Sequence, residues 1–496
     1  MNKLLEQLGI DYLLVNSTNK FLSEYPDLSE NARYDLTGFS GSTGDALVTK
    51  DNIYLFVDGR YHIQADLEAK PNVQVVKLQI GQSQDEEIKK LIDPEKILGI
   101  ISAKVSQARL EGFKGYNIKL LDVDPIINHT EEHDTTNYEK AFEPVEYEPK
   151  ATFVTNLEEV SYLTGLRDFS KDNSSKIWAK LFIKGNERIL FNDDKECDDF
   201  LSNYNESLIV DKHSINAHDY ALIKNPVHKD SEIKFLKSVK SDEELEAYQK
   251  AFDRTDKALM AIREYIENNN DLSEYDIAKR LKEEYIKFGA KSLSFNSIVA
   301  INQNSSQAHY AKSSKNTFLK QGDLVLIDSG AYYESGLATD ITRVFVKGQP
   351  SELQKKVYTT VLKAFLNCFK YYESCVKENI CGFDIDCLAH SILDNSIEGF
   401  KFNHGLGHGI GINVHEAPPN LSQNAIAKTI IKEGMCFTIE PGLYNPDYFG
   451  VRLENSCCFK NGKIHSFVNM GYEGKLIDYN LLTNQEKEWL KGFRIL

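Results

Sequence analysis

The 496-residue chain carries 58 lysine and arginine residues against 74 aspartate and glutamate residues, a formal net charge of −16. Such an acidic surface disfavours nucleic acids and anionic membranes as partners, and no apolar run approaches the ~20 residues that a membrane span requires. The hydrophobic fraction of 41% and charged fraction of 27% are typical of a soluble globular protein, and the length predicts two or three domains.

The N-terminal sequence MNKLLEQLGIDYLLV contains acidic residues and lacks the long apolar core and small-residue cleavage site of a signal peptide. Eight cysteines are present, without a C-x-x-C pair. In a long chain without a signal peptide, buried reduced thiols are favoured over disulfides. We therefore predict a cytoplasmic protein with no nucleic-acid and no membrane partner.

The first part of the chain predicts an α/β domain over residues 1–135. Short apolar runs rich in Val, Ile, Tyr and Phe at 11–15, 44–49 and 52–58 predict strands. The segment 60–70 has helical spacing.

A polar, acidic segment with two prolines, residues 131–150, predicts a linker. Residues 151–166 then begin a second strand-and-helix set. The segment 180–193 predicts a hairpin with a Gly-Asn turn. We predict a second domain over residues 136–238.

Amphipathic helices are predicted in a third domain, residues 239–496. Apolar residues recur at a period near 3.6 in 242–269, and helical patterns also occupy 273–289 and 351–374. Ser351 is a suitable N-cap for the last of these.

Asp328 and Asp340 lie on two apolar strands around a Gly-containing turn, in residues 322–348. If the strands pair antiparallel, the two carboxylates come roughly opposite each other. Facing carboxylates repel, and a cation between them would relieve the repulsion. On this segment alone, solvated positions beside loops are an equally weighted alternative.

Two further carboxylates follow near the C-terminal end. In the segment 434–444, an apolar run ends at Glu440, which is followed by Pro-Gly. In the segment 450–455, the period of two along a strand places Arg452 and Glu454 on the same side. Considered in isolation, each would more often belong to a solvated face.

The segment FNHGLGHGIGINVHEAP, residues 402–418, holds three histidines among alternating glycines. His404 and His408 have the spacing of two zinc ligands on a helix, but each glycine costs a helix about 1 kcal/mol relative to alanine. An extended chain is therefore predicted, in which these two side chains share a face and His415 requires a turn or bulge. The glycines allow another backbone or a ligand to approach closely.

Together, four carboxylates and one histidine form a hard, oxygen-rich ligand set. Such a set suits two divalent ions bridged by carboxylate better than a structural zinc site built on thiolates. Two ions about 3.5–4 Å apart would create a bridging hydroxide at neutral pH, a nucleophile for hydrolysis.

The motifs IDSGAYY, TDITR, HGLGHGIGINVHEAP, IEPGLY and GVRLEN, in this order, resemble the pita-bread metallopeptidases, which include methionine aminopeptidase, prolidase, aminopeptidase P and creatinase. Creatinase lacks the metal-binding set, so the intact set argues against that member. The segments LTGFSGSTGDALVT, VDGRYHIQA, FVTNLEEVSYLTGLRD and LTNQEKEWLKGF are similar to segments of the cytosolic-type aminopeptidase P. The resemblance therefore covers nearly the whole chain.

The resemblance implies an α/β (α+β) fold, with creatinase-like N-terminal domains followed by a pita-bread pseudo-twofold catalytic domain. These correspond to domain I (1–135), a reduced domain II (136–238) and the catalytic domain (239–496). It also implies two divalent ions, with manganese first and cobalt or zinc as alternatives. The implied metal ligands are Asp328, Asp340, His408, Glu440 and Glu454.

Individual roles are also implied by the resemblance. Asp340 and Glu454 bridge the metals, Asp328 holds one metal, and His408 and Glu440 hold the other. Glu440 also accepts and donates a proton during catalysis. The residues that contact substrate or assist proton transfer are His309, His404, His415 and Arg452.

The implied function is an aminopeptidase that releases the N-terminal residue from peptides with proline in second position, and the family often forms homodimers. A prolidase that cleaves only Xaa-Pro dipeptides is the alternative, and a non-catalytic peptide-binding module is a remote one. One departure stands out, because Asp328 and Asp340 lie twelve residues apart, where the family usually has eleven. We expect the extra residue in the turn, since a shift within a strand would turn a side chain to the other face.

Overall fold

The computed structural model describes residues 2–24, 26, 28–79, 81–127, 137–310, 312–374 and 379–496. Its contacts divide the chain into two compact units. The first comprises Met1–Tyr138, Glu143–Gly165 and Ile177–Glu232; the second comprises Glu139–Phe142, Leu166–Lys176 and Ile233–Leu496. The predicted boundary between residues 135 and 136 lies outside the described residues, as does the first part of the predicted linker 131–150. The three-domain division stays a prediction.

Two properties concern the described residues as a whole. None of their helices is long and apolar enough to cross a membrane. The cysteines among them, a set that excludes Cys375, are free thiols.

Short strands form the framework of the first unit. The strands up to residue 232 are β1 (Tyr12–Val15), β2 (Ala46–Val48), β3 (Ile53–Val57), β4 (Val73–Lys77), β5 (Ile97–Ile101), β6 (Asn117–Leu121), β7 (Glu139–Lys140), β8 (Thr152–Val154), β9 (Leu166–Arg167), β10 (Lys180–Lys184), β11 (Glu187–Phe191), β12 (Leu208–Val210) and β13 (Pro226–His228). A six-stranded sheet has the order β4-β3-β2-β1-β5-β6, and a five-stranded sheet has the order β11-β10-β8-β12-β13. The remaining pair, β7 and β9, belongs to the second unit.

Helices flank these sheets in the sequence. They are α1 (Asn2–Leu8), α2 (Ala32–Thr37), α3 (His62–Glu68), α4 (Gln84–Lys89), α5 (Gln107–Gly112), α6 (Leu157–Thr164), α7 (Asp194–Asn203) and α8 (Ala217–Leu222). The predicted strands at 11–15, 44–49 and 52–58 are confirmed as β1, β2 and β3. The predicted hairpin at 180–193 is also confirmed, because Lys184 pairs with Glu187 across its turn.

The second unit contains the longest helices. They are α9 (Ile233–Ser238), α10 (Asp242–Asn268), α11 (Glu274–Lys287), α12 (Glu352–Phe369), α13 (Tyr371–Ser374), α14 (Gly382–Leu393) and α15 (Asn484–Leu490). Ser351 caps α12 as predicted. The single helix predicted over 351–374 is instead interrupted at Lys370, which separates α12 from α13.

The remaining strands of the second unit are β14 (Ser292–Leu293), β15 (Ile298–Ile301), β16 (Leu324–Ser329), β17 (Ala331–Tyr332), β18 (Ile341–Val346), β19 (Gly407–His408), β20 (Asn420–Leu421), β21 (Cys436–Ile439), β22 (Gly442–Tyr444), β23 (Gly450–Arg452), β24 (Asn455–Lys460) and β25 (Lys463–Ser466). Two antiparallel three-stranded sheets, β15-β16-β18 and β21-β24-β25, repeat one pattern. Each pattern follows long helices in the chain, as a pseudo-twofold fold requires.

A single apolar core joins these sheets to α12 and α14. Val357 and Phe365 of α12 are fully buried in the same cluster as Leu326 of β16 and Phe437 of β21. Burial of large apolar side chains contributes about 1.5–3 kcal/mol each. The core therefore holds the strands that carry the carboxylates in a fixed register.

Candidate active site

The first carboxylate pair lies on the hairpin of β16 and β18. Asp328 pairs with Thr342, and Asp340 immediately precedes β18. The expectation that the two aspartates lie roughly opposite each other needs correction: they are diagonal neighbours, because Thr342 occupies the directly paired position. Both carboxylates still lie on the same face of the hairpin, because diagonal neighbours are two positions from direct pairing and side chains alternate along a strand.

The turn of this hairpin contains no bulge. The same register continues from β16 and β18 to the bridge between Tyr332 and Ala338. The tip, residues 333–337, includes Gly336 at φ +63°, a conformation that glycine adopts without strain. Pairing is therefore regular up to this tip, and the placement of an extra residue in the turn stays a prediction.

The second carboxylate pair lies on a longer hairpin, built from β21 and β22 on one side and β23 and β24 on the other. Ile439 pairs with Asn455, and Gly442 pairs with Arg452. The register is continuous through these pairs, so Glu440 and Glu454 occupy directly opposed positions.

Thr342 and Arg452 tie the two hairpins together. Thr342 Oγ1 donates to Glu454 Oε2 at 2.7 Å and accepts from Arg452 Nε at 3.1 Å. The Arg452 guanidinium also donates to Asp328 Oδ2 at 2.5 Å. These contacts bring carboxylates of both hairpins to one place, which we call the carboxylate centre (Asp328, Asp340, His408, Glu440 and Glu454).

His408 completes the carboxylate centre from an extended segment. Its Nδ1 lies 3.0 Å from the Gly409 carbonyl oxygen, a contact that assigns the proton to Nδ1 and leaves the Nε2 lone pair available. Nε2 lies 3.5 Å from Asp340 Oδ2 and 3.4 Å from Glu440 Oε1. One imidazole nitrogen therefore faces a carboxylate from each hairpin.

Negative charge is concentrated in this centre. Asp328, Asp340 and Glu454 are buried, and the Glu440 side chain is 17% exposed. Burial raises the pKa of Glu440 to about 7. Burial, followed by repulsion from the neighbouring carboxylates, raises the pKa of Asp340 and of Glu454 well above the ordinary value.

The donor set fits divalent metal ions. Asp328 Oδ1 and Glu454 Oε1 are buried without a hydrogen-bond partner among the described residues. Ligand atoms of Asp340, His408 and Glu454 lie within 4.8 Å of one another. Orphaned carboxylate oxygens beside an imidazole nitrogen are the hard donors that such ions prefer, and cations would relieve the repulsion.

Of the other two predicted histidines in segment 402–418, the structure places His415 beside this centre and connects His404 to it through other side chains. The His415 ring lies 4.4 Å from the His408 ring, centroid to centroid, in an edge-on arrangement. His404 Nε2 accepts from the Tyr444 hydroxyl at 2.8 Å, while Arg452 NH1 donates to the same hydroxyl at 2.7 Å. His404 therefore reaches the carboxylates through two intervening side chains.

His309 lies on a different loop of the same unit, after the 3-10 turn Asn302–Ser306. That turn contacts β23 through Ser305, whose hydroxyl donates to the Gly450 carbonyl at 3.0 Å and accepts from the Gly450 amide at 2.8 Å. The turn that precedes His309 in the chain is thus bonded to the strand that carries Arg452.

Sequence reasoning missed Thr342 and Tyr444. Thr342 lies two residues after Asp340, and Tyr444 lies four residues after Glu440. Each shares a strand face with a recognised ligand. Because side chains two and four residues apart on a strand lie on the same face, this spacing could have identified Thr342 and Tyr444 from the sequence.

The glycine-rich segment 402–418 contains no helix, as predicted; it is extended at Gly407–His408 and bends over residues 411–415. A Cβ on Gly407 would lie 2.1 Å from the Thr438 carbonyl oxygen, and one on Gly411 would lie 2.1 Å from the Glu416 carboxylate. The predicted turn before His415 is also present, because the Glu416 amide donates back to the Gly409 carbonyl at 2.8 Å.

Glu416 fixes this turn through a second set of buried charges, the lysine–glutamate cluster (Lys237, Lys240 and Glu416). Its Oε1 lies 2.8 Å from Lys240 Nζ, and its Oε2 lies 3.2 Å from Lys237 Nζ. Oε2 also accepts from the Ile412 amide at 2.9 Å. Burial alone would raise the pKa of Glu416, but the two lysines lower it to about 2.

Comparison with known proteins agrees with this architecture. Residues 246–461 match the sequence model of metallopeptidase family M24, and residues 1–130 match that of the creatinase/prolidase N-terminal domain. An X-prolyl aminopeptidase from Caenorhabditis elegans, described as a cytosolic enzyme with a dinuclear active site, has a similar solved structure. The TM-score is 0.83 at 21% identity, over 97% of this chain and 90% of that one. The predicted fold class and family resemblance are confirmed.

Two curated relatives differ in how much of the chain they match. Xaa-Pro aminopeptidase 1 of Dictyostelium discoideum is 27% identical over 97% of this chain and 88% of its own length. An Xaa-Pro dipeptidase of Pyrococcus horikoshii is 38% identical, over 47% of this chain and 63% of its own length. The first similarity spans both units, whereas the second covers about half of this chain.

Proposed function

We propose that this chain, which carries a family M24 metallopeptidase domain behind a creatinase/prolidase N-terminal domain, is an Xaa-Pro aminopeptidase. It releases the N-terminal residue from peptides with proline in second position. The observation that carries the proposal is the carboxylate centre, in which four carboxylates and His408 meet, with Arg452 as the cation paired with them among the described residues. Similarity to Xaa-Pro aminopeptidase 1 over 97% of the chain supports the substrate class.

The metal requirement follows from the same centre. Asp328 would hold one divalent ion, His408 and Glu440 would hold the other, and Asp340 and Glu454 would contribute to both. When bound, the ions would supply Lewis-acid chemistry for hydrolysis of the scissile peptide bond. Manganese is proposed first, with cobalt or zinc as alternatives. The dinuclear site of the Caenorhabditis elegans protein supports the number of ions.

The chain's own groups supply proton transfer and substrate orientation. Glu440 serves as proton acceptor and donor, and burial raises its pKa to about 7, a value suited to proton transfer near neutral pH. We assign His415 and His309 to stabilising charge on the substrate carbonyl oxygen. His404 and Arg452 orient the substrate around the same centre.

A prolidase is the second candidate, because 47% of the chain aligns at 38% identity with an Xaa-Pro dipeptidase. The two activities differ in substrate length. The manganese-loaded protein should cleave Xaa-Pro-containing pentapeptides, and removing the ions with a chelator should abolish cleavage until manganese returns. Turnover of dipeptides with no cleavage of longer peptides would instead establish the prolidase. A protein that binds no metal and hydrolyses neither would be a peptide-binding module.

We also propose the organisation expected from the family: domains at 1–135, 136–238 and 239–496, a homodimer, and a cytoplasmic location. The match of residues 1–130 to the creatinase/prolidase N-terminal domain supports the first boundary. The cytosolic description of the Caenorhabditis elegans protein supports the location. The dimer rests on family resemblance.

A further inference from the structure

Glu274, the first residue of α11, is a fully buried carboxylate. Its Oε1 accepts hydrogen bonds from the Ile301 amide at 2.7 Å and from Asn304 Nδ2 at 2.9 Å. Its Oε2 accepts from the Tyr310 hydroxyl at 2.7 Å and from the Ser314 amide at 2.8 Å. The Glu274 carboxylate is therefore hydrogen-bonded to four residues between positions 301 and 314.

The position of Glu274 suits a carboxylate bonded by neutral donors. It is the first residue of α11, where the aligned peptide dipoles favour negative charge. Ser273 and Asp276 form a capping box around it, with the Asp276 amide donating to Ser273 Oγ at 3.1 Å. Buried polar groups are usually hydrogen-bonded in folded proteins, and each carboxylate oxygen of Glu274 accepts two hydrogen bonds.

The segment that Glu274 holds is also tied to both carboxylate hairpins. Asn302 Oδ1 accepts from the Leu324 amide, where β16 begins, at 2.9 Å. Ser305 exchanges hydrogen bonds with Gly450 of β23. Between these anchors and Ser314 lies His309, directly before the bonded Tyr310. The orientation of this loop is therefore set from the buried side by Glu274.

We propose that Glu274 is a positioning residue for His309. Its four accepted hydrogen bonds fix the described residues of this loop, 301–310 and 312–314, so that the imidazole is presented to the substrate in one orientation. The proposal rests on the proposed function, in which His309 contacts the substrate. It adds a residue outside the carboxylate centre whose effect on catalysis runs through His309.

Hydrogen exchange tests the positioning without any assay of activity. Glu274→Gln keeps the size of the side chain but places an amide NH₂ against two of the four donors, so the loop must shift. We expect amides in 302–314 to exchange at least about tenfold faster than in the wild type, as for a locally opening segment. Unchanged exchange would overturn the proposal.

Glu284→Gln is the matched control. Glu284 is on the same helix and its side chain is 2% exposed, but it pairs with Arg280 and Lys287 of that helix. Its replacement should leave exchange in 302–314 unchanged. Equal acceleration in both variants would show a general loosening of α11 and would also overturn the proposal.

A double-mutant cycle tests the link to catalysis in the manganese-loaded protein. We expect Glu274→Gln to lower kcat about 10- to 100-fold, as small misplacements of catalytic groups do, with unchanged metal content. In a His309→Ala background the same substitution should cost less than twofold. Additive losses would contradict action through His309. If the wild type cleaves no Xaa-Pro peptide, the proposed function fails, while hydrogen exchange still decides the positioning.

Discussion

The second unit contains two groups of buried charges built in opposite ways. The carboxylate centre brings together four carboxylates, and Arg452 is the cation paired with them. In the lysine–glutamate cluster, one carboxylate lies between two ammonium groups. Nearby charges accordingly act on pKa in opposite directions, raising it at Asp340 and lowering it at Glu416.

This difference separates a binding site from a structural one. A buried charge that is fully paired contributes to the fold once both partners are present. Buried charges of one sign repel, and the repulsion is relieved by a ligand of the other sign or by protonation. The comparison therefore predicts that the same substitution, Glu to Gln, will have different consequences in the two places.

The largest expected effect is the loss of activity in Glu440→Gln. Glutamine keeps the size of the side chain but cannot accept the proton, and general acid–base groups contribute about 10²- to 10⁴-fold. We expect kcat of the manganese-loaded variant to fall about 10³-fold, measured on an Xaa-Pro pentapeptide. Glu284→Gln serves as the control with full activity. A loss of less than tenfold at normal metal content would refute the role of Glu440.

The next effect is on stability, in Glu416→Gln. This change leaves Lys237 and Lys240 buried without their carboxylate, and breaking a buried pair typically costs about 3–5 kcal/mol. We expect the free energy of unfolding in urea to fall by about that amount. Glu246→Gln removes the exposed partner of Lys250 on α10 and should cause no measurable change. Equal behaviour of both variants would contradict the structural role of Glu416.

The pH dependence of the same variant sharpens this result. The lysines lower the pKa of folded Glu416 to about 2, whereas its ordinary value is 4.5. Its stabilisation is therefore complete above pH 4.5 and is lost as pH falls towards 2. The difference in unfolding free energy between wild type and Glu416→Gln should shrink over that window. A constant difference from pH 6 to pH 3 would show that the pKa of Glu416 is not lowered.

The two groups also differ in how far the sequence predicts them. The four carboxylates of the carboxylate centre lie in or next to apolar strands, and His408 lies in a distinctive glycine-rich motif, so apolar pattern and motif identify them. The diagonal placement of Asp328 and Asp340 depends on register, which pattern alone determines only approximately. Lys237 and Lys240 lie 179 and 176 residues from Glu416 in the sequence. Lysines are seldom buried, so no local signal links them to Glu416.

The smallest expected effect is a gain in the stability of the metal-free protein in Glu440→Gln, whereas Glu416→Gln is expected to lose stability. In the metal-free protein, burial raises the pKa of Glu440 from 4.5 to about 7, so ionised Glu440 lowers stability increasingly as pH rises from 4.5 through 7. At pH 8 without metal, Glu440→Gln should therefore have a free energy of unfolding in urea roughly 1–3 kcal/mol above that of the wild type, since each unit of the pKa rise corresponds to about 1.4 kcal/mol. Adding manganese should stabilise the wild type more than the variant, since ligand binding stabilises the folded state. If the metal-free variant is instead less stable at pH 8, then carboxylate repulsion is not what distinguishes this centre from the lysine–glutamate cluster.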